Sequence, residues 1–118
     1  MSWNVKYLPE ALEDLKKLDG NQKILIRKAI QKVCQNPLPV TEGGYGKPLG
    51  NKGGNNLSGY FKVKLRGAGL RIVYQLIRQG NNMLVIVIGA REDEEVYEAA
   101  QKRITKYKSD SGTENIKK

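Results

Sequence analysis

Histidine is missing from this 118-residue chain, and cysteine occurs once, at Cys34. Without histidine there is no Ser-His-Asp or Cys-His machinery. One thiol allows neither an intramolecular disulfide nor a thiolate zinc site, so a metal centre would have to be built almost wholly from carboxylates. No metal and no cofactor are expected, and acid–base work falls to Lys, Arg, Tyr, Asp or Glu. Cys34 itself lies on the apolar phase of a predicted helix and reads as a small core residue. Acids are also scarce: 12 Asp and Glu against 21 Lys and Arg leave a net charge of +9. That balance favours a polyanionic partner such as nucleic acid, ribosome or an acidic protein. Long hydrophobic runs are absent, the longest being residues 83–88, far short of the roughly 20 a spanning helix needs. With no basic amphipathic helix bearing an aromatic face, no membrane role is expected. The opening MSWNVKYLPE lacks the apolar stretch of a signal peptide, and a cytoplasmic protein is the expectation.

What is present predicts one domain with a single core. Trp3, Val5 and Tyr7 alternate with Ser2, Asn4 and Lys6, the pattern of a strand with one buried face. Pro9 suits a first helical turn, and Ala11, Leu12, Leu15 and Leu18 recur at helical spacing until Asp19-Gly20 interrupts them. A second helix sets Ile24, Ile26, Ile30 and Val33 against Lys23, Arg27, Lys28 and Lys32 and closes before Asn36-Pro37. Residues 37–57, rich in Gly, Pro and Asn, predict a long loop with little regular structure. Its Gly-Tyr-Gly-Lys-Pro stretch is no phosphate loop: Pro48 follows Lys47 where Ser or Thr is required, and Thr41 replaces the first glycine.

Strands are predicted over 60–65, 70–77 and 83–88, the last apolar on both faces as an interior strand should be. A final helix from near Glu92 buries Val96, Tyr97, Ala100 and Ile104. Glu92, Asp93, Glu94 and Glu95 crowd its first turn, where the helix dipole favours negative charge. The remaining TKYKSDSGTENIKK is polar and aperiodic, so a domain over 1–104 is followed by a basic, disordered tail over 105–118. The sum is an α+β fold: a mostly antiparallel sheet of about four strands with an N-terminal helical hairpin and a C-terminal helix, the helices covering one face.

The hairpin FKVKLRGAGLRIVYQ, residues 61–75, contains no acid and alternates basic with apolar residues. Lys62, Lys64 and Arg66 point one way while Phe61, Val63 and Leu65 point the other. An even number of loop residues sets Leu65 opposite Leu70 and Lys64 opposite Arg71; an odd number would put Leu70 on the basic face. Apolar burial therefore selects the register that clusters Lys62, Lys64 and Arg71. Like charges facing each other cost up to about 1 kcal/mol. Either the lysines blunt an exposed edge, or an anion compensates them. The strand that ends at Gly89 leads to Arg91 near the same rim, and Tyr97 lies on the helix that follows. Cations joined by a ring suit a phosphate flanked by bases, which makes Lys62, Lys64 and Arg66 candidate RNA-binding residues.

Taken in order, GKPLG, LSGYFKVKLRGAGLRIVYQL and VIVIGAREDEEVYEAAQKRI, together with the early ALEDLKKL helix, resemble the RelE/ParE toxin superfamily. The likeness is to its RelE branch of ribosome-dependent messenger RNA interferases and covers about the first 104 residues. In that branch the catalytic face carries two lysines on one strand, an arginine on the next, an arginine after the last strand and a tyrosine in the final helix. The resemblance thus implies Lys62, Lys64, Arg71, Arg91 and Tyr97. Two positions depart from the family pattern, Phe61 for a frequent tyrosine and Ala90 for a frequent basic residue.

The implied reaction is attack by a ribose 2′-OH on the adjacent phosphate, without metal. Lys64, with Lys62 beside it, is the candidate base; Arg71 clamps the phosphoryl oxygens; Arg91 neutralises the leaving oxygen; Tyr97 stacks on or orients a nucleotide. The implied partners are a cognate RelB-like antitoxin, the small ribosomal subunit with its mRNA, and operator DNA only as the toxin–antitoxin complex. Two other readings stay open at this point: a ParE-like toxin acting on gyrase, and a basic RNA-binding module without catalysis.

Overall fold

The computed structural model describes residues 2–52, 55–90 and 92–117, of which 51, 52, 55, 56, 93, 94 and 108–117 are described by backbone alone. The elements follow in the order β1 (Asn4–Tyr7), α1 (Pro9–Lys16), α2 (Gly20–Val33), β2 (Lys47–Lys52), β3 (Asn55–Leu65), β4 (Leu70–Ile77), β5 (Asn82–Gly89) and α3 (Asp93–Lys117). The strands form one sheet in the order β1-β5-β4-β3-β2, parallel at β1–β5 and antiparallel elsewhere. No helix among the described residues is long and apolar enough to cross a membrane.

Local chemistry sets the helix ends. Pro9 opens α1 after an extended Leu8, since the missing N–H of proline would have no partner in a first turn anyway. Asp19, expected only to interrupt the first helix, caps the second. Its carboxylate accepts from the Gln22 amide at 2.8 Å while the Gln22 side chain accepts from the Asp19 amide at 3.1 Å, a reciprocal capping box.

β5 is interior and buried at every position from Met83 to Gly89. A strand apolar on both faces needs cover on both, so the one-sided helical layer expected from element order is not what forms. α3 packs on the face that carries Tyr60, Lys62 and Gln75. On the opposite face Phe61 stacks on Tyr74 at 5.8 Å between ring centroids. The Tyr74 hydroxyl there donates to the Pro37 carbonyl at 2.6 Å.

That bond corrects a second expectation. Residues 53–54 lie outside the described residues, but the rest of 37–57 is not an irregular loop: Lys47–Lys52 is a fifth strand, β3 begins at Asn55, and residues 36–46 form a closed turn. Its backbone bonds run from Val40 to Gly46, Gly46 to Leu38 and Tyr45 to Asn36, at 2.8–3.0 Å. At Gly46 an added Cβ would collide with the Tyr74 hydroxyl. Glycine is there because the turn closes directly on a buried ring.

α1 completes the edge of β5. β1 ends opposite Val85, and beyond it side chains replace the missing ladder. The Ile88 amide donates to the Asp14 carboxylate at 3.0 Å, and Arg103 of α3 donates to the Ile86 carbonyl at 2.9 Å and to both Asp14 oxygens at 2.6 and 3.0 Å. Buried backbone groups thereby keep their partners.

The α3 backbone stays helical to Lys117, through the segment the sequence predicts as an irregular tail. Once a helix is nucleated by packed turns, each further residue adds a hydrogen bond without needing an apolar stripe. Ile104 is nonetheless the last buried side chain among those described.

Candidate active site

The turn between β3 and β4 has four residues, 66–69, closed by Gly69 at φ 67°. The even count sets Leu65 opposite Leu70 and Lys64 opposite Arg71, as burial demands. Arg71 in turn faces Gly89 on β5, so the row Lys64–Arg71–Gly89 runs straight across three strands. Lys64 is exposed and Arg71 half-buried. The Arg71 guanidinium donates one N–H to the Gly69 carbonyl at 3.3 Å, which steadies it against the turn.

One step along β3, Lys62 Nζ donates to the Tyr97 hydroxyl at 2.7 Å and stands 5.4 Å from that ring's centroid. Tyr97 is only 7% exposed. A ring so enclosed holds Lys62 in place; it does not offer an open face for a base to stack on. Its hydroxyl accepts from Lys62.

A bulge supports this arrangement. Between Pro48–Phe61 and Gly50–Leu57 the β2–β3 register slips, and Gly59 sits at φ 86° with open space where a Cβ would go. Beyond the slip, Lys47 lies directly opposite Lys62 and therefore on the same face. Lys47 is exposed.

Of the residues expected at the site, Lys62, Lys64, Arg71 and Tyr97 share one region of the sheet. Arg91 lies outside the described residues. Arg66 is exposed, but β3 ends at Leu65 and Arg66 opens the turn, so strand alternation does not reach it. Lys47 was not expected on this face because Pro48 and Gly50 read as strand breakers; the one hint of a strand was its place in the quoted GKPLG block. Among the described residues no group of His, Cys, Asp or Glu is placed to hold a metal ion. Burial raises the phenol of Tyr60, which lies on the same face of β3 as Lys62, above its ordinary value.

Residues 5–95 match the family described as the ParE toxin of type II toxin–antitoxin systems. The chain is a toxin of the RelE/ParE superfamily. Its likenesses place it in the RelE branch. The mRNA interferase toxin RelE of Escherichia coli K12 is 31% identical over 104 residues, 88% of this toxin and 99% of that protein. A free, doubly arginine-substituted RelE from E. coli superimposes with a TM-score of 0.67 at 29% identity, over 88% of this toxin and 99% of that chain. The same mutant bound to a peptide of its antitoxin RelB gives 0.62 at 27% identity, over 85% and 95%.

Proposed function

We propose that this toxin is a ribosome-dependent endoribonuclease that cuts messenger RNA in the A site and so stops translation. The observation that carries the reading is the convergence of Lys62, Lys64 and Arg71, from two strands, with Tyr97 of α3 on one sheet face. Lys64, in its amine form, takes the proton from a ribose 2′-OH. The 2′ oxygen then bonds to the adjacent phosphorus, the bond from phosphorus to the 5′ oxygen breaks, and a 2′,3′-cyclic phosphate is left. Arg71 grips the phosphoryl oxygens bidentately as charge builds on them. Lys62, held by Tyr97, adds a second fixed cation, and Arg91 neutralises the departing oxygen. The step needs no metal, because Lys62, Arg71 and Arg91 supply the positive charge around the phosphate.

A face without an imidazole base gains most from a substrate already held in line, which the ribosome supplies. Charge of +9 suits docking on ribosomal RNA. We place the protein in the cytoplasm, with residues 1–104 as the toxin body and 105–118 as an appended segment. Its resting partner is a RelB-like antitoxin, supported by the peptide-bound RelE structure, and the pair binds operator DNA only as a complex.

The family description, which names ParE, favours a second reading in which the target is gyrase. Mapping RNA ends after brief induction separates the two. The nuclease gives new, codon-phased ends that Arg71→Ala and Arg91→Ala abolish. A DNA-damage response without new ends supports the gyrase reading instead.

A further inference from the structure

We propose that Lys47 is a substrate-positioning residue that grips a phosphate next to the scissile one, so that the messenger strand crosses from β4 over β3 and onto the edge strand β2. The inference rests on the nuclease reading of this face. Lys47 and Lys62 are direct cross-strand partners and therefore project from the same side of the sheet. Their row lies two residues along β3 from the Lys64–Arg71 row, about 7 Å at strand rise, with about 5 Å between neighbouring strands. Four cations from three strands thus form a path and not a single point.

The sheet bears a second like-charge pair there. Lys47 facing Lys62 repeats the cost already present at Lys64 facing Arg71, and edge blunting accounts for a lysine on β2 but not for its register with an interior lysine. Lys62 is drawn toward α3 by the Tyr97 hydroxyl. Lys47 is the exposed member of the pair, placed to take an anion coming off the end of the catalytic row. A single strand carries one charge per nucleotide, and a cation one step beyond the scissile phosphate fixes which linkage enters the site.

The test uses purified ribosomes programmed with a short messenger, in which each phosphate flanking the cleaved linkage is replaced in turn by a neutral methylphosphonate. Wild type should slow about tenfold at one of the two positions, the worth of one charge-assisted contact. Lys47→Gln should be about tenfold slower on unmodified messenger and indifferent to that replacement, while Lys47→Arg keeps both rate and sensitivity. Lys47→Gln cleaving at the wild-type rate, or staying sensitive at that position, would overturn this inference alone. No cleavage by the wild type would overturn the nuclease reading and this one with it. Lys47→Gln should melt at or slightly above wild type, since it relieves the like-charge pair with Lys62, and Lys47→Arg should melt with wild type, so slower cleavage by Lys47→Gln is not a folding defect.

Discussion

Arg103→Ala is a sharp test of how the fold carries the site. In the native protein the Asp14 carboxylate takes two bonds from Arg103, at 2.6 and 3.0 Å, and one from the Ile88 amide. The two side chains are 15% and 6% exposed, so water does little to screen them. Truncating Arg103 strands a buried carboxylate on a single backbone donor and takes a partner from the Ile86 carbonyl. Breaking a buried pair from one side costs about 3–5 kcal/mol, a large share of the roughly 5–15 kcal/mol that holds a domain together. The melting temperature should fall by roughly 10–20 °C, and the urea midpoint should drop with its slope unchanged. Replacing both partners with apolar residues, Asp14→Leu with Arg103→Met, should recover part of the loss, because no charge is then left stranded. Tyr97 sits less than two helical turns before Arg103, so α3 is tied to β5 close to the point where it holds Lys62. A loss under about 1 kcal/mol, the range of exposed pairs, would refute the view that this pair completes the sheet edge.

Tyr97→Phe keeps the ring and removes one acceptor for Lys62; cleavage on programmed ribosomes should fall about 10- to 100-fold while the melting temperature moves little. Tyr74 should make the protein sensitive to alkali. Burial raises its phenol well above the ordinary value of 10.0, so above that pH the unfolded chain gives up a proton the folded one retains. Its stabilising contribution is complete below pH 10.0 and lost as pH climbs toward the folded value, by up to about 1.4 kcal/mol per pH unit. Urea titrations at pH 9 to 11 should show a shallower decline in Tyr74→Phe. Gly46→Ala, whose methyl would strike the Tyr74 hydroxyl and lie 3.0 Å from the Pro37 carbonyl, should cost about 1–3 kcal/mol. Gly20→Ala, in open space at the start of α2, should gain about 0.5 kcal/mol; the same denaturation assay compares the two.

What could be read from the chain was what local pattern determines. Leu65 and Leu70 are both apolar, only an even turn buries both, and the pairing of Lys64 with Arg71 follows without any tertiary information. The interior place of β5 was equally open, since 83–88 is apolar on both faces. β2 was hidden because Pro48 and Gly50 weaken any strand signal, and because the bulge at Gly59 breaks the alternation that would have announced a longer β3. Asp14 gave no sign either. An acid within Leu-Glu-Asp-Leu-Lys-Lys looks like any solvated helix position, and its partner lies 89 residues away. The helical course of the last residues was concealed by their lack of an apolar stripe, although a helix already nucleated does not need one. Tyr97 was expected at the site, but only the packing of α3 against β3 shows that its ring is enclosed and its hydroxyl turned to Lys62.

Cations of β3 and β4 that meet around a phosphodiester in order to break it should make cleavage depend on Arg71, and the single-turnover cleavage rate of a messenger held in the A site of purified ribosomes, measured for wild type beside Arg71→Ala, reads that dependence out. Wild type should make one phased cut, ending in a 2′,3′-cyclic phosphate, at a rate about 10²- to 10³-fold above that of Arg71→Ala. An Arg71→Ala protein that cuts as fast as wild type would contradict that dependence.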